Sequence, residues 1–130
     1  MMISRYKPTP RESAILLLTL FQARERELNR RLGRVRLGEI TLRRLWNRQV
    51  LSEDFVDEVK AWLLEGGWVL FKSTSTYAAV MVDVVDSWPA ISSKRLESEI
   101  AKLAAGKLNF DELERDLKSA NSSKDDEWKI

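Results

Sequence analysis

The chain has 130 residues, 44% of them hydrophobic and 32% charged, with no cysteine and no histidine. That composition fits one globular domain with short tails, and it excludes disulfides, thiolate nucleophiles, imidazole bases and the common Cys/His zinc sites. The net charge of +2 is unevenly placed: residues 1–48 carry 12 Lys/Arg against 4 Asp/Glu (+8), and residues 49–130 carry 10 against 16 (−6), an asymmetry that suits an anionic partner for the first part or attraction between the two parts.

Apolar runs such as residues 14–18 are far too short to span a bilayer. The opening MMISRYKPTP has no apolar stretch ending in a small-residue cleavage site, so a cytoplasmic setting is expected. Residues 1–9 read as an N-terminal arm. Thr9, Pro10 and Glu12 then form a helix start: a threonine cap, proline at the first helical position and glutamate in the capping-box position. The long first helix that follows carries Ala14, Ile15, Leu16, Leu17, Leu18, Leu20, Phe21, Leu28 and Leu32. These make more than one apolar stripe, so cover is expected on several sides, from the C-terminal helices or from a second copy. Gly33 is the expected stop.

Residues 34–40 are β-capable. Thr41 is placed to cap a second helix with Leu42, Leu45, Trp46 and Gln49 at helical spacing and Arg43, Arg44 and Arg48 outside. Ser52 caps a third, with Phe55, Val56, Val59, Trp62 and Leu63 inward and Gly66 and Gly67 at its end. Phe55, Val59, Trp62 and Leu63 are expected to be buried against Ile15, Leu18, Leu42 and Leu45. Residues 68–72 and 76–83, rich in aromatic and β-branched types, read as a hairpin turned by Ser73, Thr74 and Ser75. Asp83 and Asp86 are the best carboxylates for hydrolysis, alone or through magnesium. With no third carboxylate converging on them, they read as the exposed end of a strand. No enzyme activity, metal or cofactor is expected.

Trp88 and Pro89 break the chain at the end of a domain over 10–88. A C-terminal extension over 89–120 follows. Ser92 or Ser93 caps a helix with Leu96, Ile100, Leu103 and Ala104 on one face and Gly106 at its end, and a shorter helix starts near Asn109 with Glu112 in the capping-box position and Phe110, Leu113 and Leu117 inward. Residues 121–130 read as a disordered polar tail.

The fold class expected is mainly α with a small β-hairpin. The order helix, short strand, helix, helix, hairpin resembles the winged helix-turn-helix superfamily over roughly residues 10–83. Ile40, Thr41 and Leu42 resemble its strand-to-helix entry, and Leu45 its second-helix core leucine. Leu51 and Ser52 are similar to the hydrophobic residue and cap before the recognition helix, and the run from Leu63 to Val69 to the glycine and strand entry before the wing. The turn at Asn47, Arg48, Gln49 and Val50 lacks the glycine often found there.

The resemblance implies a DNA-binding protein, for example a small transcriptional regulator. The helix that would enter the major groove nonetheless shows Asp54, Asp57, Ala61 and Leu64 opposite its apolar stripe, whereas phosphates repel carboxylates and base edges are read mostly by donors. Glu53 and Asp54 suit the helix dipole, and Asp57 and Glu58 are placed to pair with Arg43, Arg44 or Arg48. Phosphate contact therefore falls to Arg24, Arg26, Arg30, Arg31, Arg34 and Arg36, at and beyond the end of the first helix, with Arg43, Arg44 and Arg48 on the second and Lys72 alone on the wing. The local alternative for the first cluster is a solvated helix with Glu27 pairing to Arg30 or Arg31. The alternative function is a protein-protein interaction module in which Asp54, Asp57 and Glu58 face a basic partner. Homodimerisation through the first helix and one or both C-terminal helices is expected, with folding back of those helices on their own chain as the alternative.

Overall fold

The computed structural model describes the backbone of residues 6–128 and the side chains of residues 6–121; residues 1–5 of the expected arm lie outside it. The chain divides into two compact units, Met1–Trp88 and Pro89–Ile130. Six α-helices and a three-stranded antiparallel sheet make up the described residues. None of these helices is long and apolar enough to cross a membrane.

In the first unit α1 spans Pro10–Leu28, and the expected capping box is present: Glu12 N donates to Thr9 Oγ1 at 3.2 Å and Thr9 N to Glu12 Oε1 at 2.9 Å. The helix ends at Asn29, in the left-handed region at φ 51°, rather than at Gly33. Asparagine tolerates that conformation because its short polar side chain bonds locally.

Strand β1 covers only Arg34–Leu37, because Gly38 caps α2 (Glu39–Leu45). Thr41 is therefore inside the helix and not its cap, and Trp46 and Gln49 lie beyond its last turn. Asn47, at φ 51°, takes the left-handed position of the following turn, which removes the need for a glycine there.

Helix α3 is Glu53–Glu65, capped by Ser52 Oγ accepting from Phe55 N at 3.3 Å. Gly67, at φ 86°, lets the chain turn into β2 (Trp68–Lys72). Strand β3 is Tyr77–Met81, after which the chain enters the short α4, Val82–Asp86. Asp83 and Asp86 thus belong to a helix and not to a strand end. The sheet order is β1-β3-β2, with Arg36, Ala78 and Phe71 in one cross-strand row and Arg34, Val80 and Val69 in the next.

The core lies between the helices and the inner sheet face. Ala14, Leu17 and Phe21 of α1 pack with Leu42, Trp46, Phe55, Val56, Val59 and Leu63, and with Leu37, Trp68, Leu70, Tyr77 and Ala79 of the sheet. Phe21 and Trp68 rings lie 4.6 Å apart, and Trp46 meets Phe55 edge-on at 5.7 Å.

One core assignment is corrected. Trp62 is 42% exposed and Ile15 46% exposed, while Trp46 is fully buried. At 100° per residue the buried set Phe55, Val56, Val59 and Leu63 is centred about 75° from Trp62, which leaves that ring at the rim.

In the second unit a 3-10 turn, Ser93–Leu96, leads into α5, Glu97–Ala104. The helix α6, Phe110–Trp128, starts as expected, with Glu112 N donating to Asn109 Oδ1 at 3.2 Å. Its backbone runs on past Asn121, where a tail without structure is expected from the sequence. No glycine or proline follows Gly106 to stop it, and Glu114 pairs with Lys118 at i,i+4 on its surface.

Candidate nucleic-acid interface

The basic residues of the first unit fall into two groups. Arg24, Arg26, Arg30 and Arg31 occupy the end of α1 and the loop after it, and Arg34 and Arg36 continue along β1. Arg43, Arg44 and Arg48 lie instead beside the start of α1, because Trp46 is bonded to Ser13 there. From Ser13 to Leu28 the helix rises about 22 Å at 1.5 Å per residue, so the arginines at the end of α1 stand well away from Arg43, Arg44 and Arg48.

Several of these arginines are already engaged. Arg24 pairs with Glu27 at 2.8 Å, which takes Glu27 away from the expected Arg30 or Arg31. Arg31 pairs with Asp83 at 2.9 Å. Arg43 reaches Glu39 at 3.7 Å. Arg48 stacks on Phe55 with its guanidinium carbon 3.7 Å from the ring centre and donates to the Pro8 carbonyl at 3.0 Å, so it pins the N-terminal approach to the core and is not free for a ligand. The expected pairing of Asp57 and Glu58 with Arg43, Arg44 or Arg48 does not occur: Asp57 sits 3.7 Å from Lys60 on its own helix. Asp54, Asp57 and Glu58 are exposed on α3.

Arg26, Arg30, Arg34, Arg36 and Arg44 are exposed and form no ion pair with the described residues. Of these, Arg34 and Arg36 lie on a strand of the sheet. They alternate with Val35 and Leu37, which face the core, so both arginines stand on the outer face of β1 about 6.6 Å apart.

The same face carries Ala78 and Val80 from β3 and Phe71 from β2, and Trp88 follows α4 back over it. Met81 N bonds to the Gly33 carbonyl at 2.9 Å. A Cβ on Gly33 would come within 3.0 Å of Val84, so α4 is packed against the entry to β1. Together Arg34, Arg36, Phe71, Ala78, Val80 and Trp88 line an open cavity of about 450 Å³, within the roughly 300–1,000 Å³ range of ligand sites. Phe71 and Trp88 are 46% and 51% exposed.

Phe71, Ala78 and Trp88 carry no local signal in the sequence that marks them as site residues. Lys72 stands in the sequence as the wing's one basic residue, but it shares the row of Leu37 and Tyr77, with its ammonium 5.7 Å from the Tyr77 ring. The signal that would have found the groove is the alternation Arg34, Val35, Arg36, Leu37, once β1 is known to join the hairpin's sheet.

Among the described residues no three acidic side chains gather to hold a metal ion. Asp83 is engaged with Arg31, and no third carboxylate among the described residues joins it and Asp86. Compared with protein-family models, curated proteins and solved structures, the chain gives no match in any of the three.

Proposed function

We propose that this is a winged-helix protein that binds nucleic acid through the outer face of its sheet and the end of α1, and not through α3. Support for the winged-helix reading comes from the order α1, β1, α2, α3, β2, β3, with β1 added to the hairpin and Asn47 in left-handed geometry between the two central helices.

The observation that carries the function is the unpaired Arg34 and Arg36 on β1 beside the exposed Phe71 and Trp88. Two planar, multi-donor cations next to two exposed aromatic rings suit phosphate and base together. Arg26 and Arg30, upstream in the chain, are exposed as well. Contacts of this kind fix phosphate with weak sequence preference, which accords with an acidic α3 kept away from the nucleic acid.

The test is anisotropy of a labelled oligonucleotide with the full chain. Arg34→Glu with Arg36→Glu is expected to reduce affinity at least tenfold, and Arg43→Glu with Arg44→Glu much less. Equal effects from the two pairs would contradict the assignment.

A second reading rests on α3 itself. Asp54 and Asp57 share their exposed face with Ala61 and Leu64, which is 57% exposed, a mixed acidic and apolar surface suited to a basic protein partner. That reading predicts no nucleic-acid affinity at physiological salt and loss of the partner on Asp54→Asn with Asp57→Asn.

A further inference from the structure

The sheet face has a geometry more specific than a basic patch. Arg36, Ala78 and Phe71 occupy one cross-strand row, with the smallest of the three in the middle. Adjacent strands lie about 4.8 Å apart, so the flanking backbones stand about 9.5 Å from each other across Ala78.

A flat ring placed over Ala78 would therefore sit about 4.8 Å from each flank. That backbone spacing leaves room for a ring between the two flanking side chains, where aromatic stacking needs roughly 4.5–7 Å between ring centres and cation–π contact needs ~6 Å or less. The alanine methyl is a floor and no obstacle. Arg34, one step along the same strand face, stands about 6.6 Å from Arg36 and has no ion pair with the described residues. Trp88 borders the same cavity and offers a second exposed ring.

Resting on the nucleic-acid reading above, we propose that this row is a slot for an unpaired nucleobase, with Arg36 and Phe71 on its two faces and Arg34 on the adjoining phosphate, so that the preferred ligand is a single strand. A duplex cannot use the slot without extruding a base, which costs unstacking and unpairing energy. It is left with the arginine-phosphate contacts alone. Base-aromatic stacking tolerates every base, so the preference is for strandedness and not for sequence.

The experiment measures the full chain by anisotropy against a mixed-sequence DNA oligomer, its duplex, and a nucleoside monophosphate as competitor. The single strand is expected to bind at least tenfold tighter than the duplex. Phe71→Ala should cost the single strand about 5- to 150-fold, the equivalent of one lost stacking contact, and leave the duplex within twofold. Phe71→Tyr should retain binding.

Ala78→Val, which suits a strand and fills the floor, should weaken the single strand selectively, and thermal melting checks that each variant remains folded. The slot proposal alone is overturned if the duplex binds as well as the single strand, or if Phe71→Ala and Ala78→Val both leave single-strand affinity within twofold. It is also overturned if the monophosphate competes at the oligomer's own concentration, since a free-nucleotide site would then be at work. Absence of affinity for either form overturns the nucleic-acid reading and the slot with it.

Discussion

Trp46 Nε1 donates a 3.0 Å hydrogen bond to the Ser13 carbonyl, and both residues are fully buried. The contact ties the end of α2 to the first turns of α1, and Phe55 packs edge-on against the same indole. Arg48 then closes over Phe55 from outside and reaches the Pro8 carbonyl. The helical layer that backs the sheet is locked at this point. Trp46→Ala is accordingly expected to cost about 3–5 kcal/mol, and Trp62→Ala, at the rim, about 1–2 kcal/mol. Urea melts of the two variants check the order, and a larger loss for Trp62 would contradict the core described here.

Ser13 presents a second effect at the same place. Its hydroxyl is buried and has no hydrogen-bond partner among the described residues, while its carbonyl is used by Trp46. Removing an unsatisfied buried hydroxyl without changing the backbone relieves a desolvation cost of roughly 1–3 kcal/mol. Ser13→Ala should raise stability by about 1 kcal/mol, aided by alanine's better helix propensity. A loss of stability would show that the hydroxyl has a partner.

The N-terminal cap gives a pH signature. The Thr9 backbone N–H holds the Glu12 carboxyl below its usual range, with the Tyr6 hydroxyl and Thr9 side chain adding to the effect. A carboxylate with a lowered folded-state pKa contributes stability that is present above its unfolded value, about 4.3, and is lost as pH falls through the folded value. The Tyr6 hydroxyl, bonded to Glu12 at 2.5 Å, is shifted the other way. Its contribution is present below the ordinary phenol range near 10 and is lost as pH rises through the higher folded value. The stability gap between the parent chain and Glu12→Gln should therefore narrow between pH 5 and pH 3. A gap that stays constant over that range would contradict the cap's electrostatic part.

The C-terminal unit predicts self-association. None of its described side chains, residues 89–121, is buried, and Ile100 and Leu103 of α5 and Phe110 and Leu117 of α6 are all about half exposed or more. So short a segment cannot bury a sufficient core alone. Residues 89–130 carry 8 Lys/Arg and 9 Asp/Glu, so charge does not oppose pairing with a second copy. Sedimentation at increasing concentration should give a dimer, and Ile100→Glu with Leu103→Glu should return a monomer. A parent chain that stays monomeric at high concentration would contradict this.

Much of the fold was legible in the residues that carry strong local chemistry. Thr9, Pro10 and Glu12 mark a helix start by any reading, as do Ser52 and Asn109, and Gly66 and Gly67 mark a stop. Where two residues compete for one role, the sequence misleads. Gly38 precedes Thr41 and caps α2 through its backbone, and Asn29 adopts the left-handed stop before Gly33 is reached.

The candidate interface was legible only in part. Arg34 and Arg36 stand out as charge, but their joining to Phe71 depends on strand register, which links residues 35 positions apart and leaves no trace in local pattern. The engagement of Arg31 by Asp83 and of Arg48 by Phe55 is hidden as well, because each depends on how separate elements pack.

The central claim is that Arg34 neutralises phosphate beside the base that Arg36 and Phe71 hold, and salt dependence tests it most directly. Each phosphate contact on a single strand contributes about 0.7 to the slope of log affinity against log salt concentration. Arg34→Gln should therefore flatten the slope of the full chain by about 0.7, with a parallel loss of affinity at low salt. An unchanged slope, or no affinity in the parent chain even at low salt, would contradict the account.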